Sequence, residues 1–95
     1  MASVAVTDLG IIALNDHDSY QCNLSGARIC RVRLTALPND QVLVEVAVLS
    51  QDAQGQPQRI LARTRTETDS GKKVTLGIGE GIVSLTPEIK PGAKL

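Results

Sequence analysis

Phenylalanine and tryptophan are absent from the 95-residue sequence, and Tyr20 is its one aromatic side chain. The apolar fraction of 42% is therefore carried by aliphatic residues. The aromatic platform on which proteins stack the bases of single-stranded nucleic acid is missing. So is the aromatic lining common in small-ligand pockets. Charge of one sign is lacking too: ten basic and ten acidic side chains cancel. Such a chain has no net field to hold it on a nucleic-acid backbone or an anionic membrane. Long hydrophobic runs are missing as well. The stretch Val42 to Leu49 is interrupted by Glu45 and falls far short of the about 20 residues a membrane helix needs. Neither a nucleic-acid partner nor membrane insertion is expected.

Histidine occurs once, at His17, and cysteine twice, at Cys22 and Cys30. With one imidazole and no nucleophile motif around any serine, catalysis finds no support, and a non-enzyme without cofactors is expected. The cluster Asn15-Asp16-His17-Asp18 gathers that imidazole with two carboxylates. No second group of metal-ligand residues stands at a matching spacing, so it reads as a solvated turn before a strand and no metal site is assigned.

What the sequence does have is alternation. Turn signals recur at short intervals, at Asn15-Asp16, Ser25-Gly26, Pro38-Asn39-Asp40, Asp52 to Pro57, Asp69-Ser70-Gly71, Gly79-Glu80-Gly81 and Pro91-Gly92. The segments between them are five to ten residues long, which is strand spacing. No segment shows helical apolar spacing with a capping box. The expectation is one all-β domain over 1–95: a single antiparallel β-sandwich, immunoglobulin-like, with seven to eight short strands and a flexible tail over 90–95. A small open barrel is the second choice.

In one strand Cys30, Val32 and Leu34 alternate with Arg31 and Arg33, giving an apolar face and a charged one. Val42 to Leu49 reads as a central strand covered on both sides. Arg63, Arg65 and Glu67 interleave with Thr64, Thr66 and Thr68, the pattern of an outer strand guarded by charge. Val74 to Ile78 and the segment from Val83 to Ile89 read as a hairpin. Gly77-Ile78-Gly79-Glu80-Gly81 between them is its tight turn, since a phosphate-binding glycine loop opens a helix and here a strand follows.

Two arrangements remain as candidate sites. Arg31/Arg33 and Arg63/Arg65 each project two guanidinium groups from one face of a strand. Brought together they form a partner-binding patch for carboxylates or an acidic protein. The competing reading neutralises them in a ladder with Glu45, Glu67 and Asp69. Cys22 and Cys30 lie symmetrically about Gly26, so a hairpin there sets them opposite each other. A disulfide between them would be a staple placing the chain in an oxidising compartment. Two reduced, core-filling cysteines are the equal alternative.

The segment Arg63-Thr64-Arg65-Thr66, Gly71 through Gly79, and Val83-Ser84-Leu85-Thr86-Pro87-Glu88-Ile89 resembles the β-rich core segments of bacterial secretin-like envelope proteins. In these a threonine-rich strand, a glycine turn, a strand ending in Ile-Gly and a strand ending in Thr-Pro succeed one another. Cys30-Arg31-Val32 is similar to the cysteine strand of small periplasmic chaperones that restrain curli-type amyloid subunits, with Arg28 where that family has its first cysteine. These resemblances imply a non-catalytic interaction module of the bacterial envelope, a periplasmic chaperone or inhibitor. Its partner would be an amyloid-forming or secretion subunit, held through an edge strand and the arginine face. Met1-Ala2-Ser3 leads straight into strand-like residues without a signal peptide, so a mature periplasmic or extracellular chain is expected. The alternatives are a structural domain excised from a larger secretion or envelope protein, and a small-ligand or metal-binding module.

Overall fold

The computed structural model describes residues 5–24, 26–79 and 81–90. The stretch Met1 to Val4, Ser25 and Glu80 of the expected turns, and the expected tail beyond Lys90 lie outside them. Seven strands follow one another: β1 (Ala5–Leu14), β2 (Ser19–Leu24), β3 (Arg28–Leu37), β4 (Gln41–Gln51), β5 (Pro57–Asp69), β6 (Val74–Ile78) and β7 (Gly81–Ile89). They form a three-stranded sheet in the order β1-β7-β6 and a four-stranded sheet in the order β2-β3-β4-β5. The all-β class, the strand count and the β6–β7 hairpin are as the alternation predicts.

The core lies between the two sheets and is built from period-2 patterning. Cys30, Val32 and Leu34 of β3 and Val42, Val44, Val46 and Val48 of β4 face Ile12, Leu76, Ile78, Val83 and Leu85 of the other sheet. Aliphatic β-branched side chains suit this interface, because they are stiff and pack on a pleated surface without needing aromatic bulk.

The expectation of wholly antiparallel pairing fails at one place: β1 pairs with β7 in parallel, from Ala5↔Gly81 to Leu14↔Ile89. Each short connection reverses the chain, so the first and seventh strands run the same way. Once they become neighbours, their pairing is parallel. Local alternation carries no information about that closure.

Two local devices keep β1 and β7 in place. Between Asp8 and Ile11 the register slips, and Gly10 sits at φ +69°. This bulge turns Ile12 inward to 5% exposure and leaves Ile11 66% exposed. The Gly10 amide donates to Asp8 Oδ1 at 3.0 Å, and Lys73 Nζ lies 3.9 Å from Asp8 Oδ2. That amide first, and then the ammonium, hold the Asp8 carboxyl below its ordinary value. Pro87 is fully buried in β7, the middle strand of its sheet. It lies beyond the end of β6, which pairs only as far as Val74↔Leu85, so β6 does not require its missing N–H. Its carbonyl accepts from the Gly71 amide at 2.7 Å and ties in the β5–β6 corner.

The core makes a direct stability prediction. Leu85→Ala, at a wholly buried position, should lower unfolding stability in a urea titration by about 2–5 kcal/mol. Val6→Ala, at an exposed position, should change it by less than about 0.5 kcal/mol.

Candidate functional site

The backbone hydrogen bonds decide which way each strand presents its groups. Leu34 N–H donates to the Asp18 carbonyl at 3.1 Å, and the Leu34 carbonyl accepts from His17 N–H at 2.9 Å. On the other side of the same strand, Gln51 N–H donates to the Ala27 carbonyl at 3.1 Å. Even-numbered residues of β3 therefore bond to β2, and odd-numbered ones bond to β4. Carried through the unbroken β3–β4 register, this makes Arg33↔Glu45 and Arg31↔Ala47 hydrogen-bonded pairs. On the far side of β4 the bonded pairs are then Val44↔Thr66 and Val46↔Thr64. The remaining backbone groups of β5, those of Arg63, Arg65 and Glu67, point away from the sheet. No strand pairs with that edge among the described residues.

The side chains of the same odd-numbered residues lie on the outer face of the four-stranded sheet. Across it run the rows Gln21–Arg31–Ala47–Arg63 and Ser19–Arg33–Glu45–Arg65. All four predicted arginines thus share one face, although β3 and β5 are not neighbours: β4 lies between them and brings the pairs together. They border an open groove of about 600 Å³ with Glu45, Ala47 and Ile60 in its lining. The expectation that β4 is covered on both sides is corrected here. Its even-numbered face is buried in the core, whereas on the outer face Leu43, Glu45 and Ala47 are only half-buried, the last two beneath the groove.

The competing ladder of ion pairs does not form. Glu45 lies in register between Arg33 and Arg65, yet among the described residues the ion pairs within 4.0 Å are His17–Asp16 and Lys73–Asp8. Arg31 Nη2 donates to Gln21 Oε1 at 3.3 Å, an acceptor that leaves its charge uncompensated. Glu67 and Asp69 are exposed at the end of β5. The face therefore presents four guanidinium groups, with one carboxylate among them and free backbone donors and acceptors at its margin. Such a surface matches an extended, acidic chain.

Cys22 and Cys30 stand directly opposite each other, as the hairpin reading requires. Both are free thiols. Because β3 turns its even-numbered backbone groups toward β2, they occupy a hydrogen-bonded pair. Opposed Cα atoms are about 5.5 Å apart at such a site, wider than at the non-hydrogen-bonded alternative. Bridging needs Cβ atoms about 3.5–4.5 Å apart. Burial first, and then the facing Cys22, push the Cys30 thiol up to about 11.

The Asn15–Asp18 turn is used by the fold. Asp16 Oδ1 accepts from the Ala36 amide at 2.7 Å, and His17 takes φ +70° with its amide bonded to β3. Asn15 Nδ2 donates to Asp18 Oδ2 at 3.4 Å. The glycine turn is the tip of the β6–β7 hairpin, with Gly79 at φ +59° and Ile78 paired to Gly81.

Sequence reasoning did not find a second cavity, of about 230 Å³, at one end of the sandwich between the sheets. Leu24, Arg28, Leu61 and Ile78 contribute to it. Leu61 reaches it because the β4–β5 register slips between Val48↔Ala62 and Leu49↔Ile60, leaving Leu61 without a partner across the strand. No alternation pattern signals such a slip.

The thiol pair yields a pH prediction. A raised Cys30 pKa favours the folded state while the thiol is protonated. That contribution is complete below about pH 9 and is lost as the pH rises toward about 11. Unfolding stability measured across this window should fall, and Cys30→Ala should flatten the fall. In native protein at pH 8, iodoacetamide should modify half-buried Cys22 well before buried Cys30.

No family model, no curated protein and no solved structure matches this chain.

Proposed function

We propose that this protein is a non-catalytic interaction module that holds an extended acidic segment of a protein partner against the outer face of its four-stranded sheet. The observation that carries the reading is the coincidence of two properties on one strand. Arg63 and Arg65 supply charge to the groove shared with Arg31 and Arg33, and the backbone of the same residues forms an open edge. A bound strand would take main-chain hydrogen bonds from β5 and side-chain contacts from the arginines at once.

The narrower version of the proposal is a periplasmic or extracellular chaperone or inhibitor that restrains a fibre or secretion subunit. Its support is the small two-sheet frame with an exposed, charge-guarded edge and the resemblance of the Cys30 strand. The immunoglobulin-like assignment belongs to this version and rests on the two packed sheets of three and four strands. The four-stranded sheet is a simple meander, where the immunoglobulin arrangement interleaves strands that are distant in sequence.

A fluorescently labelled peptide of alternating Asp and Thr should bind the protein, and its dissociation constant should rise steeply with added salt. Combining Arg31→Ala with Arg33→Ala, or Arg63→Ala with Arg65→Ala, should weaken binding by about tenfold or more while leaving the thermal unfolding midpoint nearly unchanged. Binding that ignores both arginine pairs and salt, or no binding at all, would refute the proposal.

A further inference from the structure

The charges on the outer face of β5 are ordered as well as numerous. Arg63, Arg65, Glu67 and Asp69 occupy successive outward positions, two cations followed by two anions, with Thr66 at the midpoint. All four side chains are exposed, and none has an ion-pair partner within 4.0 Å among the described residues. An antiparallel strand meeting β5 across a twofold axis at Thr66 would find every one of these charges opposed if it were β5 itself. Arg65 would face Glu67, and Arg63 would face Asp69, each pair occurring twice.

We infer that the open edge of β5 is a self-pairing edge, at which two copies of this chain join their four-stranded sheets into one eight-stranded sheet. The backbone supports this register. Arg65 and Glu67 both turn their free N–H and C=O groups outward, so they meet as a hydrogen-bonded pair with two bonds, repeated by symmetry. The Asp69 carbonyl already accepts from Lys72 N–H at 3.2 Å, so the outer Arg63–Asp69 pairs rely more on their side chains. On the inner face Thr64 would lie beside Thr68 and Thr66 beside its own copy, a favourable cross-strand pairing.

The charge order also favours this register over its neighbours. Sliding the copies by two residues reduces the four opposed ion pairs to two and adds one like-charge pair, Arg65 on Arg65 in one direction and Glu67 on Glu67 in the other, and like charges directly opposed destabilise a strand pair. An isologous contact of this kind closes at two copies and does not propagate into a fibre. Charge on this edge thus blocks unspecific strand pairing while selecting one partner. The inference rests on the reading of β5 as an open recognition edge. It adds that a second copy occupies this edge when no acidic client does, so that client capture and dimerisation compete.

Sedimentation equilibrium on the intact chain tests this with two single variants, Arg65→Glu and Glu67→Arg. Wild type should form a dimer that added salt weakens. Each variant alone places like charges opposite each other twice and should raise the dissociation constant by about tenfold or more. Mixed together, the two variants oppose every charge correctly and should form a heterodimer as tight as the wild-type dimer. The double variant R65E/E67R should also dimerise. Strictly monomeric wild type, variants that dimerise as well as wild type, or a mixture that stays monomeric would each overturn the inference. Glu67→Arg keeps all four arginines and should bind the Asp-Thr peptide as a monomer. For the wild type, peptide binding without any self-pairing would remove only the dimer, whereas loss of both would remove the recognition edge as well.

Discussion

Everything in this fold depends on the uninterrupted register of β3 against β4, ten residue pairs from Arg28↔Ser50 to Leu37↔Gln41. A strand pair has only two faces, and one continuous register commits every side chain to one of them. Here it sends Cys30, Val32, Leu34, Val42, Val44 and Val46 into the space between the sheets, and Arg31, Arg33, Glu45 and Ala47 to the outside. The same register fixes which backbone groups bond inward. Two strands away, it determines that Arg63, Arg65 and Glu67 are the residues left facing the open edge. Core, arginine face and edge are three consequences of one alternation.

This arrangement separates what holds the molecule together from what is available to a partner. Stability comes from aliphatic burial between a three-stranded and a four-stranded sheet, reinforced at the corners by the Asp16–Ala36 and Gly71–Pro87 bonds. Exposed ion pairs contribute little to such a fold, so leaving the four arginines without carboxylate partners costs little. In the proposed complex the same groups would meet carboxylate partners that they lack in the free protein. The smallness of Ala47 keeps the floor of the groove low between the arginine pairs, and Glu45 tempers repulsion among them at the centre.

Much of this was legible in the sequence because it is local. The alternation of Arg31 and Arg33 with Cys30, Val32 and Leu34 gave the faces of β3. The threonine–charge alternation of β5 marked it as an outer strand. The symmetry of Cys22 and Cys30 about Gly26 gave their opposition. What was not legible depends on parity or on closure. Whether Cys22 and Cys30 form a hydrogen-bonded or a non-hydrogen-bonded pair turns on where β2 begins to bond, which the residue types do not encode. The parallel β1–β7 pairing arises from the seventh strand returning to the first. The bulges at Gly10 and Leu61 exchange inside for outside within a single residue. Sequence patterning leaves open whether the two arginine pairs converge, and the strand order, with β4 between β3 and β5, places all four around one groove.

The most direct measurement is residue-resolved amide hydrogen exchange along β5 in dilute solution. Strict alternation is expected: slow exchange at Thr64 and Thr66, whose amides bond to β4, and fast exchange at Arg65 and Glu67, whose amides face solvent, with the fast pair slowing as protein concentration is raised. Uniform protection along the strand at every dilution, or protection with the opposite parity, would contradict it.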